Sequence, residues 1–193
     1  MSWTKLAQGE VTSSSSTTAI EFTGISQSYK HMKIVALGAS ESAAGGGTMA
    51  FNNMQITMGT NSYATNSYNW SYRGIAIDND WGWGGANSSN DCYDTYWHIQ
   101  YDEPSGNDSG AKRAYSPFEM ILFDYANANT RTPVYFAGGT VYSAAYTSGV
   151  YGGLIYCMGI NIAINAINQI KFELADGGYF SKHTKISLYG LDG

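Results

Sequence analysis

Residues 167–193 read INQIKFELADGGYFSKHTKISLYGLDG, and this stretch decides the fold class. Ile170, Phe172 and Leu174 alternate with Gln169, Lys171 and Glu173, the period-2 pattern of a strand with one face buried. Asp176-Gly177-Gly178 follows as a turn, because glycine accepts the backbone angles that tight turns require. Alternation then resumes, with Thr184, Ile186 and Leu188 on one face and His183, Lys185 and Ser187 on the other. This last patterned strand is expected to be stitched into a sheet and to close the fold.

Working outward, the same pattern recurs along the chain. Trp3, Leu6 and Val11 mark an opening strand, and Ile20 and Phe22 alternate with Glu21 and Thr23. Residues 29–37 place Met32, Ile34 and Ala36 opposite His31, Lys33 and Val35. Residues 49–58, 74–77, 95–101, 133–146, 150–157 and 159–164 give further strand segments, and the dense apolar run PFEMILFDY at 117–125 reads as a buried strand with a short helix as its alternative. No helical period is sustained. The expectation is an all-β protein, an antiparallel β-sandwich of jelly-roll type with about ten strands and long loops. Residues 1–193 form a single domain in this reading, with a long aromatic loop around 78–97.

Composition narrows the function. Only 13% of residues are charged against 44% hydrophobic, yet Ser, Thr, Asn, Gly and 16 Tyr hold the mean hydropathy at -0.24. A net charge of -5 with scattered cations gives no electrostatic case for nucleic acid or for a membrane surface. No basic and apolar leader opens the sequence, so synthesis in the cytoplasm without a signal peptide is expected. Cys92 and Cys157 are read as free thiols. From 132 to 170 no residue is charged, but Asn, Gln, Gly and Ser break every apolar run, so a buried or subunit-facing β region is expected rather than a membrane span.

Chemistry-bearing motifs are sparse. His31, His98 and His183 stand singly, without the paired spacing of zinc ligands. Asp102-Glu103 and Asp78 with Asp80 lie in or beside Asn- and Gly-rich loops, where solvated turn carboxylates are the plain reading and an acid–base pair the sharper one. Asp78, Asp80, Asp91 and Asp94 could supply oxygen ligands to calcium, though at no EF-hand spacing. No metal, no cofactor and no catalytic residue is therefore expected. Trp81, Trp83, Tyr93, Tyr96 and Trp97 form an aromatic cluster suited to covering the sandwich end, contacting a protein partner or stacking on glycan. Tyr142, Tyr146, Tyr151 and Tyr156, in the charge-free region, are candidate subunit-interface residues.

The run TAIEFTGISQSYKHMKI at 18–34 resembles an opening found in virion proteins of tailed bacteriophages, marine and cyanophage types especially. INAINQIKF at 164–172, the Gly177-Gly178-Tyr179-Phe180 turn and the closing SLYGLDG at 187–193 are similar to that family's ending, and Phe51-Asn52 fits its Phe-Asn pair. The likeness covers both ends of the chain and leaves 61–113 unexplained. It implies a non-enzymatic structural component of the virion. A capsid decoration (cement) protein bound to the major capsid protein, as a homo-oligomer such as a homotrimer, is the first expectation. A tail-fibre or receptor-binding module contacting host glycan is the second.

Overall fold

The computed structural model describes residues 2–12, 17–38, 40–41, 52–60, 70–78, 97–99, 116–143, 150–174 and 179–193. Every regular element among them is a strand: β1 (Thr4–Glu10), β2 (Ala19–Phe22), β3 (His31–Gly38), β4 (Ser40–Glu41), β5 (Asn52–Gly59), β6 (Trp70–Asp78), β7 (Trp97–Ile99), β8 (Ser116–Leu122), β9 (Arg131–Ser143), β10 (Val150–Ile164), β11 (Gln169–Leu174), β12 (Tyr179–Phe180) and β13 (Lys185–Leu191). A seven-stranded sheet runs β1-β13-β3-β8-β9-β10-β6, and a four-stranded sheet runs β2-β11-β5-β7. β12 and β4 form a separate two-stranded pair. All pairings are antiparallel. The protein is an all-β antiparallel sandwich, as its alternating pattern requires. Its unequal division into seven and four strands does not by itself establish the jelly-roll version.

The two sheets meet through residues that alternate inward. Met32, Ile34, Met120, Leu122, Val134, Phe136, Ile186 and Leu188 of the large sheet are buried, as are Ile20, Phe22, Ile56, Met58, Ile170 and Phe172 of the small one. Phe118 links the sheets, with its ring 4.7 Å from Phe136 within its own sheet and 6.4 Å from Phe172 across the core. Phe172 in turn meets Phe22 edge-on at 6.1 Å. Offset and edge contacts of this kind suit the charge distribution of aromatic rings.

The last strand is an interior one. β13 lies between β1 and β3, pairing Leu188 with Ala7 on one side and with Ile34 on the other. It does not pair with β11, so the two patterned strands are not the arms of one hairpin. β11 belongs to the small sheet, between β2 and β5. The run 117–125 divides between strand β8 and a turn, which removes the helical alternative.

β1 forms one edge of the large sheet and carries a register shift between Lys5 and Ala7. A bulge and a lysine on an edge strand both discourage unwanted pairing with another chain.

Candidate interaction surface

The motifs at the two ends of the chain meet in space. Tyr29 packs against Gly190, where an added Cβ would strike the ring, and the Lys30 side chain lies against Gly193 in the same way. The Lys30 amide donates to the Leu191 carbonyl at 3.1 Å, and β3 then pairs with β13 along its whole length. The Tyr-Lys-His and Leu-Tyr-Gly signatures are thus two sides of one packed seam. They serve the fold and bring no chemistry together.

Tyr125 anchors the neighbouring end of the core. It is fully buried, its hydroxyl donates to the Ser26 carbonyl, its amide donates to Lys30 O, and its carbonyl accepts from the Ile167 amide. Burial, and secondarily Tyr29, push its phenol up to about 12. His31 is held by its ring: Nδ1 accepts from the Asp124 amide at 3.1 Å, and Phe123 meets it edge-on. Both residues are structural ties.

The two outward faces differ in character. The small sheet presents Glu21, Thr57, Gln169, Lys171 and Glu173, an alternation of charge and hydroxyl or amide that suits water. Lys171 and Glu173 form an ion pair at 2.6 Å. On the large sheet the outward residues change along the strand order. β1 and β13 carry Lys5, Gln8, Glu10 and Lys185, with Lys185 paired to Glu10 at 3.0 Å. From β3 onward an apolar patch joins the outward His31, Lys33, Glu119 and Arg131. Val35 and Leu37 on β3, Ile121 on β8, Tyr135 on β9 and Met158 on β10 all point outward, Leu37 being 48% and Met158 66% exposed. Tyr135 is register-paired with Ile121 and with Met158, so these residues form a ladder across adjacent strands. One ion pair, Lys33 with Glu119 at 2.7 Å, sits within this apolar field.

An outward sheet face is ordinarily polar, and a contiguous apolar one marks an interaction site. Sequence reasoning read Val35 as simply opposite the core residues of its strand. The signal available was the neighbouring pairs Ile34-Val35, Ala36-Leu37, Met120-Ile121 and Tyr135-Phe136, which are apolar on both faces of their strands.

The residues singled out from sequence are distributed differently. Trp81, Trp83, Tyr93, Tyr96 and Tyr146 lie outside the described residues, as do Cys92 and the carboxylates Asp80, Asp91, Asp94, Asp102 and Glu103. Trp97 opens β7 at the edge of the small sheet, opposite Met54. Tyr142 on β9 is register-paired with Tyr151 on β10, and Tyr156 stands opposite Ala137 on the same ribbon. Among the described residues no three of His, Cys, Asp and Glu converge on one point. A cleft of about 380 Å3 opens between β1 and β2, lined by Leu6, Ala7, Glu21, Phe22, Thr23 and Gly24 among others, and no titratable cluster faces it. No described helix is long and apolar enough to cross a membrane.

Comparison with protein-family models, with curated proteins and with solved structures returns no match.

Proposed function

We propose that this protein is a non-enzymatic structural component of a tailed-phage virion, and that it acts as a capsid decoration (cement) protein on the outside of the head shell. The observation that carries this reading is the apolar outward face of the large sheet, with Leu37 and Met158 about half or more exposed. A sandwich that leaves such a face on one side and a charged, water-suited face on the other is built to be one layer of an assembly. Decoration proteins act by many small contacts from a rigid body, and an all-strand sandwich supplies that rigidity. The resemblance of 18–34 and 187–193 to phage virion proteins supplies the biological setting.

In this reading the partners are the major capsid protein and further copies of the chain, and the location is the virion. The test is co-sedimentation of purified protein with mature heads that lack it and, separately, with host cells. Binding to heads and not to cells is expected. Binding to cells alone would sink the decoration reading in favour of the fibre module, and would move attention to the aromatic residues around 81–97.

A further inference from the structure

We propose that Met158 is an oxidation site for peroxides, and that its sulfoxide keeps the apolar face of the large sheet from being buried. The site itself follows from exposure and chemistry, whereas its consequence for the virion rests on the decoration reading.

Access to sulfur separates Met158 from the other methionines with described side chains. Met32, Met58 and Met120 lie in the core and are at most 2% exposed, so a peroxide reaches them only when the sandwich opens. Met158 is 66% exposed, more than any other described large apolar side chain. Its backbone is held on both sides, in register with Tyr135 of β9 and Arg73 of β6, so the residue is presented without local unfolding.

The exposed sulfur donates an electron pair. It attacks one oxygen of a hydroperoxide, the O–O bond breaks as the S–O bond forms, and the proton of the transferred hydroxyl passes to the leaving oxygen. Sulfur is oxidised to the sulfoxide, and the peroxide is reduced to water or to an alcohol. A flexible apolar thioether becomes a polar, chiral group.

Position gives that change its effect. Met158 stands at one end of the outward apolar run Ile121, Tyr135, Met158 on the neighbouring strands β8, β9 and β10. The thioether is the adaptable member of such a surface, because it is unbranched and polarizable and conforms to a partner. A sulfoxide in the same place brings an oxygen that needs a hydrogen-bond donor, and burying it against an apolar partner without one is unfavourable. The side chain lies outside the core, so its oxidation leaves the sandwich packed as before.

The test treats the purified full chain with hydrogen peroxide and maps sulfoxides against time by mass spectrometry. Met158 should oxidise about tenfold or more faster than Met32, Met58 and Met120, with the circular dichroism spectrum unchanged. Hydrophobic-interaction chromatography then reads the face, and the oxidised chain should elute earlier than the untreated one. Met158→Leu keeps an apolar side chain and removes the reactive sulfur, so its retention should not change with peroxide. Binding to heads should fall about tenfold or more on oxidation of the wild type and hold constant in Met158→Leu.

Oxidation of Met158 no faster than that of the core methionines would overturn the proposal. So would unchanged retention of the oxidised wild type, or a loss of retention that persists in Met158→Leu and therefore belongs to other residues. Heads keep the two readings apart. An untreated chain that binds no heads would remove the decoration reading, and retention alone then upholds or overturns the oxidation site. Heads bound equally well by oxidised and untreated chains would take the shell contact off this face, overturning the proposed consequence while leaving the virion reading standing.

Discussion

Gly190 stands where the chain's two end motifs press together, and its missing Cβ is the reason that they can. An added methyl would enter the ring of Tyr29, so Gly190→Ala should cost about 1–3 kcal/mol, the range for overpacking a close contact. Urea denaturation measures it, and the same change made in a Tyr29→Ala background should cost much less, since the clash is then gone. Thr132 poses the opposite problem. Its side chain is fully buried and its Oγ1 has no hydrogen-bond partner. Thr132→Val keeps the shape and removes the unpaired hydroxyl, so it should raise stability by roughly 1 kcal/mol and move Tm upward. An unchanged or lowered Tm would show that the hydroxyl is bonded to water after all. Tyr125 gives a pH signature. Its phenol stays protonated in the fold up to about 12, whereas unfolded tyrosine ionises near 10. The unfolded state therefore releases its proton first as pH rises. Stability from this group is whole below pH ~10 and falls between about 10 and 12, by up to roughly 2–3 kcal/mol. Ultraviolet titration should find at least one tyrosine ionising two units late, and Tyr125→Phe should abolish that late step.

At the scale of elements, the sandwich is held by a short row of rings. Phe118 and Phe172 reach toward each other from β8 and β11, which belong to different sheets. Phe172→Ala opens the seam between layers and should cost about 3–5 kcal/mol, read as a lower denaturant midpoint, whereas Phe123→Ala on the exposed side should cost far less. The inward residues of these strands were legible in the sequence, because one buried face imposes a strict period of two. Ile170, Phe172, Thr184, Ile186 and Leu188 lie on the faces that the alternation marks, and all are buried. Sheet order was not legible. Nothing local tells β13 that it will lie between β1 and β3, or sends β11 to the other sheet, because those choices are made by distant strands. The glycines of β10 misled in a specific way. The pattern reads as two segments, 150–157 and 159–164, yet β10 is continuous from Val150 to Ile164. Glycine lowers strand propensity but keeps its N–H and C=O, so Gly159 still pairs with Val134 across the ladder. The outward apolar ladder was hidden for a related reason: a strand apolar on both faces reads as deeply buried, and composition does not distinguish burial by the core from burial by a partner.

For the whole molecule, the charge-free span 132–170 and the net charge of -5 bear on the same question. In the proposed assembly, copies of the chain that meet through the apolar face would bring like net charges together, and at low ionic strength that repulsion opposes association. Salt screens it over a Debye length of ~10 Å at 0.1 M, while the burial of Val35, Leu37, Tyr135 and Met158 is untouched by screening. Association should therefore hold or tighten between about 50 and 500 mM sodium chloride, and ammonium sulfate should tighten it further by strengthening apolar burial. Sedimentation equilibrium at each salt gives the answer directly. An interface made by charge matching would behave in the opposite way and come apart. Weakening with salt would assign the contact to the Lys5, Glu10 and Lys185 rim, and then Lys185→Glu, not the Val35 and Leu37 substitutions, would be the change that separates the copies.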